Sequence, residues 1–165
     1  GCTASSIVQG VDYDRHLRHE IETISGGPAT TAAHAILTAL KTLGLKRISA
    51  VSPYTPEIDA AEHRFFEAAG LEVRGSACLN IKDNFGLAST TPETLYKLGI
   101  DGFDPKAEAL VITCLNTRSH TVIEALEEKL GRPVVTSTQA TLWHALRLAG
   151  IKDAVPGGGT LMRKH

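Results

Sequence analysis

Long apolar runs are missing from the 165-residue sequence, and no stretch approaches the roughly 18 residues a membrane-spanning helix needs. No membrane contact is expected. An excess of one charge is missing too: 17 Lys and Arg stand against 18 Asp and Glu, with no basic run, so nucleic acid is not an expected partner. Cysteine is scarce. Cys2, Cys78 and Cys114 are an odd count, too few for a disulfide framework, and read as free thiols of a reducing, cytoplasmic protein. No signal-peptide pattern is present. Neither G-x-G-x-x-G nor G-x-x-x-x-G-K-[ST] occurs, and Gly157-Gly158-Gly159 reads as a flexible turn rather than a phosphate cradle. The histidines, from His16 and His19 to His165, show no metal spacing. Neither a metal nor a cofactor is expected.

What is present is alternation. Helical spacing predicts helices over 32–43, 57–69, 92–98, 121–130 and 140–149, and the end of a polar helix over 17–24. Between them lie apolar runs that read as strands: Arg47–Pro53, Ala109–Thr113 and the short Pro133–Thr136. Leu71–Ala77 alternates apolar and polar, as a strand nearer a sheet edge does. Residues 80–92 read as a polar loop. Strands alternating with helices of ten or more residues mean βα units on a parallel sheet, an α/β fold.

Ligands of open parallel sheets bind at the carboxyl ends of the strands. Polar clusters fall there after "ALVIT" (Cys114, Leu115, Asn116, Thr117), after "RISAV" (Ser52 to Thr55) and after "VRGSA" (Cys78, Asn80, Asp83, Asn84). Cys2 to Ser6 form a fourth cluster if Gly1 closes a strand. A thiol at a strand end that opens a helix is expected to have a lowered pKa. For any one cysteine the competing reading is a small buried hydrophobe. That reading is kept for Cys78, which has no helix start behind it.

The segments "GCTASS", "SPYTPEID", "VITCLNTRS" and "TQATLWHALRLAGI" together resemble the maleate isomerases of the aspartate/glutamate racemase superfamily, over nearly the whole chain. The resemblance implies two similar flavodoxin-like α/β halves facing a central cleft, each giving it one cysteine. It divides this chain into the remainder of an N-terminal half (1–40), a second half (41–136), and a C-terminal helix and tail (137–165) packing back on the first. The first half is then incomplete: the family's first cysteine follows two βα units of about 30 residues each, so roughly 60–80 residues are expected to precede Gly1. The sheet is expected to show a gap or an exposed apolar edge where those strands would pair.

The same resemblance implies a cofactor-independent conversion of maleate to fumarate, with Cys2 as nucleophile and Cys114 as acid and base. Thr3, Tyr54, Asn84, Leu115 and Asn116 would hold a small dicarboxylate, and a homo-oligomer is expected. Arg118 either joins the site or pairs with Glu124 or Glu127. Arylmalonate decarboxylases are also similar, but they carry glycine at the first cysteine position, which argues against decarboxylation here. The family's Cys-Thr-Ser is Cys2-Thr3-Ala4 in this sequence, one hydroxyl fewer. A two-cysteine racemase of aspartate, glutamate or hydantoins, and a non-catalytic small-acid binding domain, are the alternatives.

Overall fold

Each strand of the computed structural model, which describes all of residues 1–165, alternates its side chains between two separate cores. β1 (Arg47–Ser52), β2 (Glu72–Cys78), β3 (Ala109–Ile112) and β4 (Val134–Thr136) form one parallel sheet in the order β2-β1-β3-β4. Ile48, Ala50, Ala109, Val111 and Val135 face one core. Val51, Leu110, Ile112 and Val134 face the other. This is the two-residue period of a strand buried on both faces.

Helices cover both faces. On the first lie α3 (Ala32–Thr42), α4 (Pro56–Ala68) and α8 (Ser137–Leu148), with α9 (Gly159–Lys164) beside them. On the second lie α6 (Pro92–Asp101) and α7 (Ile123–Leu130), the latter entered through a 3-10 turn at Ser119–Val122. Local chemistry sets the starts. Thr31 accepts the His34 N–H at the head of α3, and Pro56 and Pro92 occupy first turns, where no N–H is needed. Thr136 and Gln139 form a reciprocal capping box, so β4 passes into α8 without a loop. At Gly102 a Cβ would come within 2.4 Å of Val51, which is why the end of α6 can lie directly on the sheet.

The polar helix whose end the spacing predicts over 17–24 is α2 (Val11–Ser25), and its first turn carries Asp12 and Asp14 where the helix dipole favours them. Several expectations change. The polar loop contains α5 (Asn84–Ala88), five residues capped by Asp83. A helix, α9, does follow the glycine triplet. The sheet has neither the gap nor the exposed apolar edge expected of it. β4 is fully buried and β2 alternates exposed and half-buried residues. The exposed large apolar side chains instead lie on and beside helices: Val8 at the end of α1 (Thr3–Ile7), Tyr13, Ile21 and Ile24 on α2, Phe85 on α5, Leu142 and Leu148 on α8 and Ile151 just after it. Residues 1–46 contribute three helices and no strand, so they put no strand into this sheet. α8 packs along α3, while α9 packs on α7, α8 and β4. No helix is long and apolar enough to cross a membrane.

Candidate active site

A cavity of about 510 Å³ opens at the carboxyl ends of β1 and β3, against the first turn of α1. That volume lies in the range of small-molecule sites. Cys2 and Cys114 both line it, and Cys78, at the end of β2, does not. Thr3, Tyr54, Asn84, Leu115 and Asn116 line it as well. Arg118 does not. Nor does it pair with Glu124 or Glu127, which are both held by Arg163. Arg118 lies instead near Glu93, whose carboxyl it helps hold low behind the larger effects of hydrogen bonds to the Glu93 backbone N–H and Thr91.

Cys2 is the exposed N-cap of α1, and its carbonyl accepts the Ser5 hydroxyl at 3.1 Å. Thr3 is buried, and its hydroxyl donates to Ser137 at 3.1 Å. It therefore offers the cavity a first-turn backbone N–H, which has no partner within the helix, rather than its side chain.

Cys114 follows β3 and is 2% exposed. Its φ of 86° lies where only one other non-glycine residue of the chain, Asn80, has positive φ. L-residues adopt this conformation at a cost of about 1–3 kcal/mol, so surrounding contacts must hold it. Two contacts do: Thr117 donates its hydroxyl to the Cys114 carbonyl at 3.1 Å, and Thr113 is anchored on either side of the sheet end. No helix opens at Cys114; the chain runs through a turn to the 3-10 segment. The expectation of a lowered pKa fails at this thiol. Burial pushes it up, and Glu62 and Cys2 add to the rise, while the Tyr54 hydroxyl and the Asn116 N–H oppose it.

Tyr54, 5% exposed, packs against Cys114, with its hydroxyl near enough to oppose the rise in the thiol pKa. Its own ionisation is suppressed, first by burial and then by Cys114, Glu62 and Cys2. It therefore keeps its proton across the accessible pH range. Asn116 donates its side-chain amide to the Asn84 carbonyl at 2.9 Å, joining the turn after β3 to α5 across the cavity. Ile58, Ile81 and Leu87 supply apolar wall.

The apolar wall residues and one charged lining residue were not among the sequence candidates. Lys82 is the only charged side chain on the cavity wall. Its signal was present, a lone cation in "NIKDNFG" directly after a strand end, but the segment read as solvated loop.

The family model described as arylmalonate decarboxylase matches residues 2–162. A maleate isomerase of Geobacillus stearothermophilus is 26% identical over 98% of this chain and 66% of its own length. An arylmalonate decarboxylase of Bordetella bronchiseptica is 29% identical over 96% of this chain and 68% of its own. The crystal structure of a maleate isomerase from Pseudomonas putida S16 with maleate superposes with a TM-score of 0.94 at 25% identity, covering 99% of this chain and 68% of that one. The chain thus spans about two thirds of the length of the relatives it matches.

Proposed function

The chain belongs to the arylmalonate decarboxylase family, and from that membership we propose that its protein is a cofactor-independent isomerase converting maleate to fumarate. Residues 1–40 would belong to one half of the enzyme, 41–136 to the other, and 137–165 would pack back on the first. One observation carries the reading: an exposed and a buried thiol line the same cavity, the buried one packed against a tyrosine.

The Cys2 thiolate adds to one alkene carbon of maleate. The π electrons move onto the neighbouring carbon and its carboxylate, and the Cys114 thiol delivers its proton to that carbon. The former double bond is now single and rotates. The Cys114 thiolate then removes a proton from the same carbon, the double bond re-forms, and Cys2 leaves as thiolate with fumarate released. Covalent addition replaces one high barrier with lower ones. Cys114 must enter the cycle protonated, which its burial favours. The charge that spreads into the carboxylate during addition needs donors aimed at it. Thr3, Asn84, Leu115 and Asn116 would supply these from backbone or side chain, and Tyr54 would steady Cys114.

The assay incubates the protein with maleate and follows the cis-alkene proton signals. Loss of those signals with growth of fumarate, and a succinyl-sized mass on Cys2, would support the reading. A second reading, decarboxylation of an arylmalonate, is favoured by the 29% identity to the Bordetella bronchiseptica enzyme. Carbon dioxide release from phenylmalonate with maleate untouched would move the assignment there. Exchange of the α-hydrogen of aspartate, glutamate or a hydantoin in D₂O would move it to a racemase.

A further inference from the structure

Beneath the cavity lies a carboxyl group that the proposed reaction does not use. Glu62 stands on α4 four residues from both Ile58 and Phe66, on the stripe turned toward the sheet, and is 1% exposed. Its Oε2 accepts the Thr113 hydroxyl at 2.9 Å, and its Oε1 is buried with no hydrogen-bond partner. Thr113 is itself fully buried and donates its N–H to the Val51 carbonyl at 3.1 Å. The next residue is Cys114, in its positive-φ conformation.

The titratable groups around Glu62 are few. On α4, Asp59 accepts the Ser52 hydroxyl at 2.8 Å and faces His63 at 3.4 Å. Tyr54 approaches from the turn after β1 and Cys114 from the end of β3, and Cys2, at the head of α1, faces those two groups. From β2, Cys78 faces Asp59. None of the recorded ion pairs gives Glu62 a cation.

We propose that Glu62 is a positioning residue for Cys114: through Thr113 it holds the backbone that presents the thiol, and its carboxyl sets the local charge under which Cys114 gives and takes its proton. This rests on the reading of Cys114 as the proton-transfer thiol. Burial pushes the Glu62 carboxyl up to about 8, opposed by the Thr113 hydrogen bond and aided by Asp59. It is a neutral acid at pH 7 and becomes an anion only as the pH passes that value. As an anion it opposes ionisation of both Cys114 and Tyr54. Glutamine keeps an acceptor for Thr113 and cannot ionise. Alanine removes both properties.

The experiment alkylates the full chain with iodoacetamide across about pH 6 to 10 and maps each cysteine by mass spectrometry, alongside maleate turnover. In Glu62→Gln, Cys114 should react about threefold or more faster than wild type near pH 9, where a shift of one pKa unit is tenfold in thiolate. Cys2 should not change. Glu62→Ala should lower kcat for maleate at least about tenfold with KM retained, and Glu62→Gln should restore it. Superimposable Cys114 profiles in wild type and Glu62→Gln overturn the proposal, as does a kcat loss in Glu62→Gln equal to that in Glu62→Ala. A shifted Cys114 profile in a protein that never turns over maleate rejects the isomerase reading and leaves the Glu62 effect on the thiol standing. If Glu62→Ala does not fold, the Glu62→Gln profile decides alone.

Discussion

Cys2 caps a five-residue helix at the open mouth of the cavity, in extended backbone with φ −144° and ψ 120°. Cys114 sits behind the sheet end at 2% exposure, held at φ 86° and packed against Tyr54. The two walls differ in what each can offer. An exposed sulfur on relaxed backbone can approach and leave a carbon. A buried sulfur packed against a tyrosine can hold a proton and return it to one place. Burial, more than sequence context, separates the two proposed roles, since each cysteine is followed by a short stretch rich in small and polar residues.

Exchanging the walls' chemistry should break the comparison most completely. Cys2→Ser and Cys114→Ser should each reduce maleate turnover by roughly a thousandfold or more, because a hydroxyl is a far weaker nucleophile and acid than a thiol at neutral pH. The asymmetry should survive in the adduct. Intact-protein and peptide mass spectra should find the succinyl group on Cys2 and none on Cys114.

Tyr54→Phe should blur the comparison from the buried side. It deletes the hydroxyl that lowers the Cys114 pKa while leaving the burial that raises it. Alkylation of Cys114 should therefore need a higher pH than in wild type. Turnover should fall by about 10- to 100-fold, the range of a lost proton-transfer aid. Cys2 alkylation, measured in the same digest, should move little.

The buried wall should also leave a thermal signature. Below about pH 4.5 Glu62 is protonated in both folded and unfolded chains and contributes no pH dependence. Between about 4.5 and 8 the unfolded chain has released the proton and the folded one still holds it, so stability declines as the pH rises. Above about 8 both forms are ionised and the loss is constant. Calorimetry across this window should show the wild-type Tm falling by a few degrees relative to Glu62→Gln.

The exposed wall should give the smallest effect. Lys82→Met removes the only charge on the cavity lining. Because the lysine is exposed and screened, KM for maleate should rise only about two- to fivefold with kcat unchanged. The salt dependence of KM should flatten in steady-state assays.

The sheet and its major helices were legible because their residues repeat a single physical demand. Arg47–Pro53 and Ala109–Thr113 are apolar on both faces, and Leu71–Ala77 alternates, so centre and edge could be told apart before any pairing was known. Short elements were not legible. α5 depends on one cap, Asp83 to the Gly86 N–H, and no apolar period can register in five residues. Cys2, Tyr54, Asn84 and Cys114, which the resemblance singled out, line one cavity. The resemblance had no place for Lys82, whose context looks like solvated loop. Glu62 was hidden differently: a charge on the inward stripe between Ile58 and Phe66 was a visible anomaly, but the hydroxyl that meets it comes from 51 residues further along.

The hydroxyl of Thr3 reaches Ser137 across 134 positions of chain, and this bond has a bearing on how the protein folds. Contacts between sequence-distant residues require closing a long loop first, and they form late. The sheet from β1 to β4 can assemble from nearer neighbours, but the head of α1 has no seat beside α8 until Ser137 is in place. On a ribosome adding about 5–20 residues per second, Thr3, next to Cys2, would wait several seconds before its partner Ser137 is even made. The finished fold leaves Cys2 exposed, so the late Thr3–Ser137 contact supplies the thiol's placement at the cavity rather than its shielding from electrophiles.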